Sequence, residues 1–222
     1  MKPELLDDLR VAYGAKVTER ADKAISPWKV PVRAGFLQRL LQLGGTRLLE
    51  IGAGTGVHGA FFAEQGLQVV CTDLSPQMVE YCRSNGLTAH KMDFSALDFP
   101  PNSFDAVFAM NCLLHVPRAD LPAVLASVAR VLAVGGLFFW GQYGGDSQAG
   151  AWPEDRYEPK RFFSLLTDDD IREIANGVFD LLDFEVVPKA GHGGVNHFQA
   201  LTLKQRYYHG CRQRRVCRQK GL

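Results

Sequence analysis

Two carboxylates and three glycines, set close together, carry the clearest chemistry in this sequence. Glu50 is followed at alternate positions by Gly52, Gly54 and Gly56, and Asp73 lies 23 residues beyond Glu50. Glycines lack a Cβ and let backbone pass close to a ligand. A helix that starts just beyond them aims unpaired N–H groups at that ligand. The hexapeptide Gly54-Thr55-Gly56-Val57-His58-Gly59 also spells the glycine pattern of dinucleotide sites. Alone, that pattern is weak evidence, and its first glycine belongs almost directly after a strand. Here Gly52 already takes that place, with the acid Glu50 two residues earlier. A carboxylate at a strand end repels a pyrophosphate and suits a cation or a hydroxyl-bearing ligand.

The elements around these residues follow from pattern. Leu48, Leu49 and Ile51 form a short apolar run, as in a buried parallel strand. A helix from Val57 to Gln65 is stopped by Gly66. The order Glu-x-Gly-x-Gly-x-Gly resembles the first motif of class I S-adenosylmethionine-dependent methyltransferases. The resemblance spans about residues 32 to 203 and is specific in its first half. It implies an α/β, three-layer Rossmann-like sandwich, with a mostly parallel seven-stranded sheet and an antiparallel C-terminal hairpin. It also implies S-adenosyl-L-methionine as cofactor, held by Glu50, Gly52, Gly54 and Gly56.

Further cofactor contacts are expected along the first half. Asp73 closes a second strand, Leu67 to Thr72, where a carboxylate accepts from both ribose hydroxyls. Ser75 and Pro76 open the next helix. Leu74 and Met78 are placed there to sandwich the adenine, with ordinary core as the other reading of Met78. By the resemblance, Asp93 after strand Thr88 to Met92 accepts from the adenine amine, and Phe94 donates its backbone N–H. Strand four, Phe104 to Met110, leads to Asn111 and His115. Both belong to the crevice where strand order reverses.

Residues 3 to 24 read as a helix with Leu5, Leu6, Leu9, Ala12 and Tyr13 on its apolar face and a weak point at Gly14. Pro31 starts a second helix, Val32 to Leu43. By the resemblance, residues 1–45 are expected to be a helical lid, in which Tyr13 and Trp28 line the acceptor or simply pack. After a helix from Asp120 to Leu132, Val134-Gly135-Gly136 turns into a fifth strand, Leu137 to Tyr143. The family usually has proline where Val134 stands. Residues 146 to 164, with Trp152, Tyr157, Arg161, Phe162 and Phe163, form either a substrate cap or a plain connection. Leu181 to Val187 and His197 to Leu203 pair as a hairpin, with Gly191-His192-Gly193-Gly194 in its turn. The cofactor domain is expected over 46–204 and a disordered basic tail over 205–222.

Methyl transfer needs an acceptor held about 3–3.5 Å from the methyl carbon. A base adds to the rate where the acceptor carries a proton of high pKa. His115 is the first candidate for that base, since it follows strand four and histidine titrates near neutrality. Tyr143, His192 and His197 are weaker candidates. Tyr13, Trp28, Tyr143 and Trp152 are the candidate acceptor contacts. The other role open to His115 is hydrogen bonding to backbone or substrate.

Composition narrows the partners. The five cysteines show no C-x-x-C pair, so reduced thiols in a cytoplasmic protein are expected, with no metal site. No apolar run is long enough for a transmembrane helix. Eight of the 25 Lys and Arg, and none of the 24 Asp and Glu, fall from Lys189 onward. The first 188 residues therefore carry 17 bases against 24 acids, which disfavours nucleic acid as substrate. Amino-methylating nucleic-acid enzymes of the resembled fold carry a Pro-Pro-aromatic run after strand four, where this chain has Asn111-Cys112-Leu113-Leu114. A small organic acceptor is the first expectation, its accepting atom left open among O, N, C and S, as is the oligomeric state. The alternatives are an RNA methyltransferase or binder using the tail, a cofactor-binding protein without catalysis, and more remotely a nicotinamide oxidoreductase.

Overall fold

A computed structural model describes residues 1–188 and 197–206. Its seven-stranded sheet is built from β1 (Arg47–Ile51), β2 (Gln68–Asp73), β3 (Thr88–Lys91), β4 (Phe104–Met110), β5 (Leu132–Gly144), β8 (Asp180–Val187) and β9 (His197–Lys204). A separate two-stranded ribbon joins β6 (Gln148–Ala151) to β7 (Phe162–Leu165). The main sheet runs β3-β2-β1-β4-β5-β9-β8. The first five strands pair parallel, and β9 pairs antiparallel with both β5 and β8. This is the expected mostly parallel sheet closed by an antiparallel pair. Strand order reverses between β1 and β4, so a crevice opens outside their carboxyl ends.

Helices α3 (Lys29–Gln42), α4 (Val57–Glu64), α5 (Pro76–Ser84), α6 (Leu121–Val131) and α7 (Asp168–Asn176) flank the sheet. On one face Phe36 and Phe62 meet Phe108 and Phe139, and these last two rings stack with centroids 4.6 Å apart. On the other, α6 and α7 bury Val124, Leu125, Val128 and Ile171 against Leu49, Val107 and Phe138. Leu48, Leu49 and Ile51 are wholly buried. A strand covered on both faces must be apolar throughout, which makes Glu50 an exception that needs a reason.

Several boundaries differ from the sequence reading. The long first helix is two, α1 (Pro3–Gly14) and α2 (Val17–Ala21). Gly14 is where the chain approaches α5: a Cβ there would lie 2.7 Å from Gln77 Oε1. The expected lid also divides, because α3 buries Val32, Phe36, Leu37 and Leu40 in the core. The glycine turn before strand five is part of β5 itself, whose pairing with β4 shifts between Phe104 and Ala106. Gly135 has φ +78°, and a Cβ at Gly136 would sit 2.8 Å from the Asp105 carbonyl oxygen. Residues 146–164, read as a cap or plain connection, contain the β6–β7 ribbon. Gln205 and Arg206, assigned to the tail, belong to the fold: Gln205 exchanges backbone hydrogen bonds with Gly135 and Gly136, and Arg206 pairs with Asp180. The remainder of the tail and the 189–196 turn with His192 lie outside the described residues. Among the described residues, no helix is long and apolar enough to cross a membrane.

Candidate functional site

A cavity of about 400 Å³ opens at the crevice between β1 and β4. Glu50, Gly52, Gly54, Asp73, Leu74, Asp93, Phe94, Asn111, His115, Tyr13 and Tyr143 all line it. Eleven residues chosen from sequence therefore meet in one place. Gly56, Met78, Trp28 and Trp152 do not line it, and each has a packing role instead. Gly56 has φ +75°, and a Cβ on it would come 2.6 Å from Leu87 and 2.9 Å from Cys82. Met78 is fully buried, so the core alternative holds for it. Trp28 packs 4.5 Å from the Phe198 ring, and Trp152 sets its edge against Phe163 while donating to Glu154.

The floor of the cavity is built by the ends of β1 and β2. Gly52 and Gly54 adopt φ of +60° and +57°, which non-glycine residues take only with strain. A Cβ at Gly52 would collide with Cys112, whereas Gly54 faces open space apart from Arg20. Asp73 Oδ2 accepts the Gly54 N–H at 2.8 Å and Oδ1 accepts the Ser75 N–H at 2.9 Å. Each oxygen keeps acceptor capacity for a further donor. Burial raises the Asp73 pKa, offset by those two N–H groups and by the charge of Arg20. Glu50 is buried, and burial pushes its pKa up to about 8, against the Gly59 N–H and the Cys71 thiol. Asp93 Oδ1 is taken by the Ser95 N–H, which starts the short turn carrying Phe94.

Two observations mark the cavity as one that fits a polar, bulky group. Asn111, at φ +56°, is a non-glycine residue in the left-handed region. Its Oδ1 is buried without a hydrogen-bond partner, while its N–H donates to Gly141 at 2.7 Å. Strain and an orphaned acceptor at one residue are costs that a ligand donor can offset. The second is the glycine turn itself, where an added Cβ at Gly54 would project toward the cavity.

The roof comes from the N-terminal helices and the β6–β7 ribbon, and most of its members escaped the sequence reading. Arg20, Lys23 and Lys29 line the cavity, as do His58, Arg161 and Phe163. Arg161 forms a two-pronged ion pair with Asp155 and lies 3.6 Å above the Tyr157 ring. Arg20 donates to the Tyr157 hydroxyl and lies over Tyr13, and its Nε is buried without a partner. Burial, together with Arg20 and Lys23, lowers the Lys29 pKa to about 8. Burial also lowers His58 to about 3, with Lys29 and Arg33 acting in the same direction. Arg161 and Phe163 carried a sequence signal, through the aromatic segment 146 to 164; the lone bases Arg20, Lys23 and Lys29 carried none.

His115 is 4% exposed and both of its ring nitrogens are engaged. Nδ1 lies 2.7 Å from the Phe162 carbonyl, which can only accept, so Nδ1 carries the proton. Nε2 therefore accepts from the Tyr13 hydroxyl at 2.6 Å. Arg161 donates to the same hydroxyl at 2.9 Å, leaving one Tyr13 lone pair uncommitted. Burial lowers the His115 pKa to about 3, helped by Arg161 and Arg20 and opposed by the Phe162 carbonyl. Tyr143 is raised by burial, and His197 pairs with Asp168 at 2.7 Å.

Comparison with known proteins places this geometry. Residues 48–136 match a family model described as a methyltransferase domain. The chain is 37% identical over 116 residues to a ubiquinone biosynthesis O-methyltransferase of Xanthomonas oryzae pv. oryzae, an alignment covering 49% of this chain and 48% of that protein. It thus spans about half the length of the curated relatives it matches. Among solved structures, a Burkholderia thailandensis 1,6-didemethyltoxoflavin-N1-methyltransferase, with 1,6-didemethyltoxoflavin and S-adenosylhomocysteine bound, superposes with TM-score 0.75 at 22% identity, covering 93% of this chain and 92% of that one. The cyclase SpnF superposes with TM-score 0.61 at 19% identity, over 73% of this chain and 75% of that one. Likenesses this low in identity speak for the fold alone, and the matched domain carries the glycine turn and Asp73. Residues 48–136 are thus similar to a methyltransferase domain, and the fold around them is the one shared with the S-adenosylhomocysteine-bound structure.

Proposed function

We propose that this chain binds S-adenosyl-L-methionine on the cavity floor and methylates a small organic acceptor held under the roof. When bound, that cofactor supplies an electrophilic methyl group on a sulfonium. Glu50 and Asp73 bind the cationic and hydroxyl-bearing parts, Leu74 and Phe94 flank the base, and Asp93 accepts from its amine. Asn111 Oδ1 finds its missing donor in the same ligand. The observation that carries the reading is Asp73, oriented by the Gly54 and Ser75 N–H groups with acceptor capacity left over.

His115 acts here through Tyr13 and does not touch the acceptor. It holds the phenol hydrogen, so the remaining Tyr13 lone pair receives the acceptor's N–H or O–H. Orientation is then the main contribution of this chain to the rate, and well-oriented pairs gain roughly 7–11 kcal/mol. A cytoplasmic setting is part of the reading, supported by the free, buried thiols of Cys71, Cys82 and Cys112.

Calorimetric titration with S-adenosylhomocysteine, alongside NADH, tests the pocket on wild type and Asp73→Ala. Saturable binding of the first ligand only, about 10–100-fold weaker in the variant, is expected from the loss of a charged acceptor. Wild type that ignores S-adenosylhomocysteine refutes the proposal.

A further inference from the structure

The charges around the cavity are segregated in a way that the cofactor alone does not explain. Its carboxylates stand on the sheet side: Glu50 on β1, Asp73 on β2 and Asp93 after β3. Its cations come from the N-terminal helices and the ribbon: Arg20 in α2, Lys23 just after it, Lys29 at the start of α3 and Arg161 before β7. Arg161 is neutralised by Asp155. Among the described residues Arg20, Lys23 and Lys29 form no close ion pair, although the charge of Arg20 reaches Asp73 and that of Lys23 reaches Glu19, and the ring contact of Lys29 with Trp28 supplies no negative charge. Of the three, Lys29 is half-buried and lies near His58, which burial keeps neutral.

S-adenosylmethionine itself carries a sulfonium, an ammonium and one carboxylate, a net charge of +1. Its carboxylate can match one of the three cations, and Arg20, which reaches toward Gly54, lies nearest the floor. The ammonium and sulfonium fall to the sheet-side carboxylates, so the cofactor brings no second anion to the remaining bases. A half-buried cation without a counter-charge is costly unless another anion arrives. Resting on the methyltransferase reading, we propose that the methyl acceptor is a small anionic molecule, a carboxylate or an equivalent acid on an aromatic body, whose charged group sits on Lys29. Tyr13, Tyr143 and Phe163 in the lining supply ring faces for that body. Such an acceptor supplies the negative charge that the cofactor lacks and favours itself over neutral analogues.

The test uses saturation-transfer NMR on the full chain saturated with S-adenosylhomocysteine, with benzoate and its neutral counterpart benzamide as probes. Wild type is compared with Lys29→Gln and with Lys29→Met, which keeps the apolar stem. Benzoate is expected to bind wild type about tenfold or more better than benzamide, as a charge-assisted contact implies, and to lose that preference in both variants. Equal response to the two probes in wild type, or an unchanged preference in the variants, overturns the proposal. S-adenosylhomocysteine affinity, measured in parallel, separates the other failures. If it falls tenfold on Lys29→Met, Lys29 serves the cofactor's own carboxylate and the proposal fails. If wild type never binds S-adenosylhomocysteine, the underlying reading fails first.

Discussion

Replacing Glu50 with Gln isolates the cost of placing a carboxylate inside an otherwise apolar strand. Glu50 lies between Leu49 and Ile51, both wholly buried, and opposite Cys71 and Phe108 on the neighbouring strands. Burial lifts its pKa from the ordinary 4.5 to about 8. The folded chain therefore holds a proton that the unfolded chain releases between those two values. With one proton more in the native state, stability falls as pH rises, by about 1.4 kcal/mol per unit. Across the window the loss is on the order of 5 kcal/mol at most; it is absent below pH 4.5 and complete above about pH 8. Glu50→Gln keeps the size and removes the titration. Urea unfolding of both proteins without cofactor, from pH 5 to pH 9, should show wild type losing stability relative to the variant as pH rises. Cofactor binding should reverse part of that loss, since a cation beside Glu50 favours its charged form. S-adenosylhomocysteine affinity should thus rise with pH in wild type and stay flatter in the variant. Parallel stability curves for the two proteins would refute the reasoning, because they would mean that Glu50 is ionised or solvated in the native state.

Gly56→Ala should destabilise the fold by about 1–2 kcal/mol from backbone conformation alone, and by more from the approach to Leu87 and Cys82. Chemical denaturation would measure this loss, and S-adenosylhomocysteine affinity of the folded fraction should change less than on Asp73→Ala. Tyr13→Phe removes the proton that His115 Nε2 accepts. It should lower kcat more than KM for the cofactor, while the rate of wild type should show no inflection at the ordinary histidine pKa, because His115 titrates near 3. A rate profile with an inflection near pH 6.5 that vanishes in His115→Gln would argue that His115 is a working base.

The sequence by itself determined the sheet half of the site. Periodicity and apolar runs placed β1 to β4 nearly to the residue, and Glu50, Gly52, Gly54 and Asp73 converge because each closes a strand of one parallel sheet. A βα unit has a set length, so residues at successive strand ends must meet, whatever else the chain does. The same logic brought Asp93 and Asn111 to the cavity. It does not extend to Met78 and Gly56, whose side of helix or turn depends on what packs there: Met78 turns into the core, and Gly56 into α5 and Leu87.

Only the tertiary structure decided the roof. Arg20 and Lys29 are ordinary bases on amphipathic helices until α2 and α3 fold over the glycine turn. The Lys29 pKa is lowered first by desolvation and then by Arg20 and Lys23, and such proximity across separate elements leaves no mark in local sequence. His115 illustrates the same limit from the other direction. Its position after β4 was legible, but Tyr13 from 102 residues earlier and the Phe162 carbonyl from 47 residues later occupy its two nitrogens. Strand ends are fixed by local pattern, whereas the protonation and exposure of a side chain are fixed by whatever the rest of the chain brings against it.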